Sequence, residues 1–243
     1  NYNVAMGQDA LNANTTASNN VSVGFRSSMV NTTGANNVAL GFFALNQNTT
    51  GDGNTAVGAS SLDACTTGTR NTAYGLASGG AVTTGVDNVC LGYSAAYNLT
   101  TGSNNIVIGK DAAPASASTD NSVTLGNSSI AALRCQVQTI SSLSDERDKT
   151  DIVDIEDGLD LINLLRPRKF TWAMRQPSKN NGTTHLGFIA QELDEAIGNK
   201  NDYIHLVDKI NPDKLEAAYS RLIPILTKAI QELSAKVTAL KAA

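Results

Sequence analysis

From the first residue to about residue 125 the apolar residues fall in short triplets, among them Val4-Ala5-Met6, Val38-Ala39-Leu40 and Ile106-Val107-Ile108, each closed by a glycine. Those glycines, Gly7, Gly24, Gly41, Gly58, Gly75, Gly92, Gly109 and Gly126, stand 17 residues apart throughout. Four residues before them stand Asn3, Asn20, Asn37, Asn54, Asn71, Asn88 and Asn105, with Ser122 the single replacement. Three residues after each glycine the side chain is Ala or Ser, from Ala10 to Ser129. A Thr-Thr-Gly, as at Thr32-Thr33-Gly34 and Thr100-Thr101-Gly102, punctuates the other end of most units.

Strict periodicity of this length is the mark of a stacked repeat. Each unit predicts a short strand such as Val38-Ala39-Leu40, a glycine permitting a turn closed to other residues, a small inward residue, and a second turn. One unit cannot bury its apolar side. Stacked units can, at about 1.5–3 kcal/mol for each buried Val or Leu, so residues 1–127 predict a mainly β solenoid of 17-residue coils. Asparagines at a fixed phase are expected to satisfy backbone groups of the turns; an outward glycan-binding array is the competing reading. Phe25, Arg26, Phe42, Phe43 and Tyr93 follow the glycines. Apolar side chains on the outside of a thin rod need a partner, so packing against a neighbouring chain is expected ahead of receptor contact. Asn-x-Thr triplets such as Asn31-Thr32-Thr33 recur because the repeat does.

Beyond an irregular connector, 128–143, anchored by Val137 and Ile140, the pattern becomes α+β. Asp157 is expected to cap a helix carrying Leu159, Ile162 and Leu165, ended by Pro167. Residues 169–172 alternate as a strand, a turn follows around Asn180-Asn181-Gly182, and 185–190 is the expected partner strand. A helix from Gln191 to Ile197 should stop at Gly198, and Tyr203 to Val207 should add a further strand. Ile223, Leu226, Ile230, Leu233, Val237 and Leu240 follow the 3,4 spacing of a coiled-coil seam, with Pro224 near its first turn. Its β-branched and Leu positions alone favour a dimer.

A net charge of −4 over 243 residues gives no electrostatic footprint for nucleic acid. The break in composition favours two domains. Cys65, Cys90 and Cys135 lack disulfide or zinc spacing, and His185 and His205 have no second ligand at metal spacing, so no metal and no cofactor is expected. No apolar run spans a membrane. The start at Asn1, without a signal peptide, suggests a piece of something longer. Asp9, Asp52, Asp63, Asp87, Asp111 and Asp120 are scattered across the repeat, which suits no glycosidase, and no activity on external substrates is expected.

One stretch stands apart. Ser144-Asp-Glu-Arg-Asp-Lys-Thr-Asp-Ile152 reads, on charge alone, as a solvated linker. It also holds a serine and a lysine, the two parts of a nucleophile and its base. A lysine with an ordinary pKa near 10.4 is costly to hold neutral at pH 7, about 4.6 kcal/mol. Burial or a neighbouring cation such as Arg147 would lower that cost.

The core Asn-x-Val-Ala-Leu-Gly, Asn36 to Gly41, resembles the heads of trimeric autotransporter adhesins and related viral fibres. The resemblance implies parallel homotrimers. A cellular adhesin would need a membrane anchor after the coiled coil, and the end at Ala243 speaks against it. Ser144-Asp145-x-Arg147-x-Lys149-x-x-Ile152, then Leu-Arg-Pro at 165–167, Phe170-x-Trp172, Gly187-Phe-Ile-Ala-Gln191-Glu192 and Tyr219-Ser-x-Leu-x-Pro224, resembles the C-terminal intramolecular chaperone of phage tail spikes and fibres, an auto-processing peptidase family that includes endosialidases.

This second resemblance covers 144–243 and implies trimerisation of the fibre in front, then self-cleavage at Leu143-Ser144. It makes Ser144 the nucleophile and Lys149 the base, with Asp145, Arg147, Gly187, Gln191 and Glu192 supporting the motif. It further implies a virion appendage assembled in a host cytoplasm, with a cell-surface receptor or glycan as its outside partner. A chaperone retained uncut as a cap is the alternative. Asp148 departs from the family, which more often has an apolar residue such as Leu there, and is expected to loosen the site and slow cleavage.

Overall fold

The computed structural model describes residues 2–130, 132–134, 136, 144–173 and 181–242. Cys135, Val137, Ile140, Leu143 and Asn180 lie outside the described residues. The chain divides into two units, Asn1–Ile130 and Ala131–Ala243.

In the first unit each repeat contributes one three-residue strand: β1 Val4–Met6, β2 Val21–Val23, β3 Val38–Leu40, β4 Thr55–Val57, β5 Thr72–Tyr74, β6 Val89–Leu91, β7 Ile106–Ile108 and β8 Val123–Leu125. They pair in parallel and in sequence order, every residue beside the one 17 positions on, as Ala39 lies beside Ala56. The 17-residue β-solenoid expected from the periodicity is what forms. The rest of each coil has no regular strand, yet its backbone also bonds to the next coil, as from the Leu45 N–H to the Ser61 carbonyl and from the Thr66 N–H to the Thr83 carbonyl.

The asparagines bond the turn backbone, as expected. The Asn37 N–H donates to Asn20 Oδ1 at 2.9 Å, and Asn54, Asn71, Asn88 and Asn105 repeat the bond at 2.8–3.1 Å. Each Nδ2 meanwhile donates to a turn carbonyl, as Asn54 to Gly68 and Asn71 to Gly85, both at 2.8 Å. Asn20 to Asn105 of this ladder are 0–1% exposed, which rules out the glycan-binding reading. Threonines form a parallel row, with Thr49 Oγ1 donating to the Thr66 carbonyl at 3.1 Å.

Two glycines show how tightly the inner coils stack, although Ala17 and Thr119 occupy the phase of the second at the two ends of the repeat. Gly41 has φ +145°, and a Cβ there would lie 2.5 Å from the Gly58 carbonyl oxygen. A Cβ on Gly51 would lie 2.2 Å from that of Gly68. Other left-handed positions carry ordinary residues, including Phe43 and Leu45. At these positions the bonds to neighbouring coils outweigh local preference.

Burial within the strands falls on the middle residue. Ala39, Ala56, Ala73, Cys90 and Val107 are fully buried beside Leu45, Leu62, Val82 and Leu99, with the small residues Ala44 and Ala95. Burial pushes the Cys65 thiol up to about 11 and the Cys90 thiol up to about 12. The bulkier flanking residues do not join this core, contrary to the expectation that stacking alone would cover the apolar side: Val4, Met6, Leu40, Tyr74, Ile106, Ile108, Val123 and Leu125 remain exposed. The coil interior, shared with the asparagine ladder, takes small side chains at the strand centre, and the pleat turns their neighbours outward.

In the second unit, α1 (Leu159–Leu164) precedes β9 (Arg168–Thr171), which pairs antiparallel with β10 (Thr184–Gly187). Helices α2 (Ala190–Ile197) and α3 (Asn201–Ile204) follow, then β11 (Val207–Asp208), β12 (Glu216–Ala217) and the long α4 (Leu222–Ala242). Leu161, Leu193, Ile197, Leu206, Leu222 and Ile225 form its core. Gly198 ends α2 with φ +54°, as its sequence position predicts.

Two expectations fail here. Asp157 does not cap α1: Gly158 takes that position and the Leu159 N–H donates to Glu232 Oε2 of α4 at 2.8 Å, because Lys200 and Tyr203 already hold the Asp157 carboxylate. Tyr203 is helical, not extended. The Asn201 side chain bonds both the N–H and the carbonyl of Val207, and left-handed His205 breaks the segment, so only Val207 and Asp208 form a strand, in a separate two-stranded sheet. Among the described residues no helix is long and apolar enough to cross a membrane.

Asn71→Ala leaves the Asn88 N–H and the Gly85 carbonyl without their partner. The expected loss is about 1–3 kcal/mol for each orphaned group, read as a lower denaturant midpoint at unchanged slope. An unmoved midpoint would show that the ladder adds nothing to stability.

Candidate functional site

The stretch from Ser144 to Lys149 folds on itself by purely local bonds. Asp145 Oδ1 accepts the Arg147 N–H at 2.9 Å, which starts a 3-10 turn over Glu146–Asp148. The Asp148 N–H donates to the Asp145 carbonyl at 3.2 Å and the Lys149 N–H to that of Glu146 at 3.1 Å. The turn shortens the path between Ser144 and Lys149. It brings Lys149 Nζ to 2.7 Å from Ser144 Oγ and 3.0 Å from the Ser144 carbonyl oxygen.

Arg147 engages Asp145. Its Nε donates to Asp145 Oδ1 at 3.0 Å and its Nη2 to Oδ2 at 2.6 Å, a two-pronged pair. The guanidinium, followed by the backbone N–H, holds the Asp145 carboxyl below its ordinary range. Arg147 is thus committed to a carboxylate and is not directed at the lysine, which differs from its expected use as a cation beside Lys149. Residues 144–150 are all exposed, Asp148 included, so the described residues do not provide the burial that would favour a neutral lysine.

The remaining motif residues serve a different cluster. Glu192, on α2, accepts from Arg168 at 2.8 and 2.5 Å and pairs with Arg166 at 3.5 Å, which ties that helix to β9. Gly187 closes β10, and a Cβ there would approach the Tyr219 hydroxyl to 3.0 Å and Phe170 to 3.3 Å. That hydroxyl bonds both the N–H and the carbonyl of Phe188 at 3.2 Å. Gln191 is exposed. The bonds of Glu192 and the packing of Gly187 therefore hold the hairpin and α2 together and do not run to Ser144 or Lys149.

Sequence reasoning missed the network around Asp157. Lys200 and the Tyr203 hydroxyl both bond its carboxylate, and with Lys200 first they hold its carboxyl below the ordinary range. The three-residue spacing of Lys200 and Tyr203 was the available signal, since it places both on one helical face. Among the described residues no cluster could hold a metal ion.

Comparison with known proteins adds two findings. Residues 144–201 match the family described as chaperone of endosialidase. The uncharacterized protein VP1 of Micromonas pusilla reovirus (isolate Netherlands/2005) is 44% identical over 64 residues, which is 26% of this chain and 3% of that protein. The chain thus spans a small fraction of this curated relative. No solved structure matches. The segment that matches this family follows a β-solenoid of about seven turns.

The sign of the Asp157 shift gives a pH test. A carboxyl held below its unfolded value, about 3.9, stabilises the fold above that pH, and the contribution is lost as pH falls through the folded value. Wild-type thermal midpoints should therefore drop more steeply than those of Asp157→Asn below about pH 4, with the variant less stable at neutral pH. Parallel curves would deny the carboxylate that role.

Proposed function

We propose that the chain is part of a trimeric phage-type tail fibre or related virion appendage, whose C-terminal chaperone assembles it and then cuts itself away between Leu143 and Ser144. The observation that carries this reading is the 2.7 Å approach of Lys149 Nζ to Ser144 Oγ, inside the segment that matches the chaperone family.

The chemistry balances with these two side chains and one water. Neutral Lys149 takes the Ser144 hydroxyl proton as Oγ attacks the Leu143 carbonyl carbon. The C–N bond to Ser144 breaks, and Lys149 returns the proton to the leaving amine. Water then hydrolyses the ester, freeing the Leu143 carboxylate and restoring the Ser144 hydroxyl. The cost of a neutral lysine, about 4.6 kcal/mol for an ordinary one at pH 7, falls when neighbouring chains cover the exposed turn. Cleavage then waits for assembly.

Two apolar surfaces support trimer formation. On α4, Ile223, Leu226, Ile230, Leu233, Val237 and Leu240 are 41–78% exposed while Leu222, Ile225 and Ala229 face their own unit. On the solenoid, exposed strand-flanking residues such as Leu40 are joined in sequence by exposed Phe42, whose ring packs on half-buried Phe25 and Phe43 at centroid distances of 5.5 and 4.4 Å. Rows of exposed apolar side chains on one chain call for a covering partner. Second and third copies of this chain are their occupants, the fibre geometry overriding the dimer preference of the helix seam.

Expressed chains should convert to fragments of 143 and 100 residues, as cutting 243 residues after residue 143 requires. Ser144→Ala and Lys149→Met should each slow this conversion by at least about a thousandfold, as expected when members of a catalytic unit are removed. Wild-type processing rates in Ser144→Ala would sink the mechanism, whereas a wild type that never cuts would make the domain a permanent cap. Light scattering of the Ser144→Ala chain should give three times the monomer mass, and twice that mass would contradict the trimer.

A further inference from the structure

Asp145 creates a difficulty for the dyad that its neighbour resolves. It directly follows the serine whose hydroxyl and carbonyl both hold the Lys149 amine. A free carboxylate at this position would attract the ammonium form of Lys149 and compete with Ser144 Oγ for it, since an opposite charge within about 4–6 Å favours the charged state of a lysine. The observed carboxylate is not free: Arg147 takes both oxygens through its guanidinium and one of them again through its backbone N–H.

We propose that Arg147 is a positioning residue that acts through Asp145, occupying and neutralising the carboxylate so that it caps the turn without capturing Lys149. The inference rests on the reading of Ser144 and Lys149 as a dyad. It assigns separate tasks to the two supporting residues. Asp145 shapes the turn by accepting the Arg147 N–H, and Arg147 removes the electrostatic penalty of having a carboxylate there.

The geometry is selective. Glu146, Asp148 and Asp151 are also exposed on this segment, yet among the described residues none forms an ion pair with Lys149. The downward shift of the Asp145 carboxyl, caused first by the Arg147 side chain, agrees with a carboxylate whose charge is already matched. Planar two-pronged pairing is particular to arginine, which a lysine would replace by a single point contact.

The test measures self-cleavage of the full chain against pH for wild type, Arg147→Leu, Arg147→Lys and the double variant Arg147→Leu/Asp145→Asn. Arg147→Leu should move the rising limb of the profile up by about one pH unit while approaching the wild-type rate on the alkaline plateau. Arg147→Lys should shift it less. The double variant should return to the wild-type midpoint, because Asn keeps an oxygen for the cap and has no charge. A rate reduced equally at every pH, or a shift that Asp145→Asn leaves in place, would overturn the proposal.

A second readout is independent of cutting. In the Ser144→Ala background, pH-dependent acetylation of Lys149 followed by mass spectrometry should show the amine titrating about one unit higher when Arg147 is Leu, and back again with Asp145→Asn. An unshifted Lys149 would overturn the proposal even if the wild-type chain never cuts. Failure of the dyad reading shows itself elsewhere, as normal processing in the single Ser144→Ala chain.

Discussion

The first unit depends on one bond made again and again: a buried asparagine oxygen accepts the N–H of the asparagine 17 residues further on. The bond demands identical spacing in every coil, since one inserted residue would put a different side chain in the buried position. It also satisfies turn backbone that would otherwise be enclosed without water. An orphaned buried group costs about 1–3 kcal/mol, so the constraint acts on every coil. Glycines at the two crowded phases follow from the same close stacking, because a Cβ there would collide with the next coil's carbonyl.

The ladder fills part of a narrow interior and so decides what the strands can bury. Their centres carry Ala, Ser, Cys, Val and Thr, and their larger apolar neighbours are left half-buried or exposed. That outward row and the α4 seam lie in different units, with different local structure, and both leave large apolar residues uncovered on a single chain. In the proposed assembly this connects folding to chemistry. Ser144 and Lys149 are brought together by bonds within residues 144–149, whereas in that assembly the burial that would make the lysine a base would come from neighbouring chains. Local geometry and assembly would then act as two separate conditions for cleavage.

The repeat was readable because period, glycine phase and asparagine phase all report on the same stacking. What could not be read was which apolar residues face inward. Alternation along a three-residue strand is symmetric in sequence, and the choice between Ala39 and its neighbours Val38 and Leu40 is made by the space the ladder leaves. In the second unit, helix ends marked by Gly198 and Pro224 were legible from local backbone preferences. The role of Asp157 was not, because its partners Lys200 and Tyr203 lie 43 and 46 residues away. The strand expected over Tyr203 to Val207 is redirected by a single side chain, Asn201. Ser144 and Lys149 stood out through motif resemblance, since charge alone describes a linker. The pairing of Arg147 with Asp145 was missed because sequence spacing does not reveal which of several nearby charges an arginine will choose.

The central claim is that this turn is a place where the chain is cut by its own serine. Its most direct test is the intact mass and N-terminal sequence of the downstream product after expression of the whole chain. The account predicts a 100-residue fragment, 243 less the 143 upstream, beginning Ser144-Asp145-Glu146. A product beginning at any other residue, or a single uncut species under conditions where the trimer has formed, would contradict it.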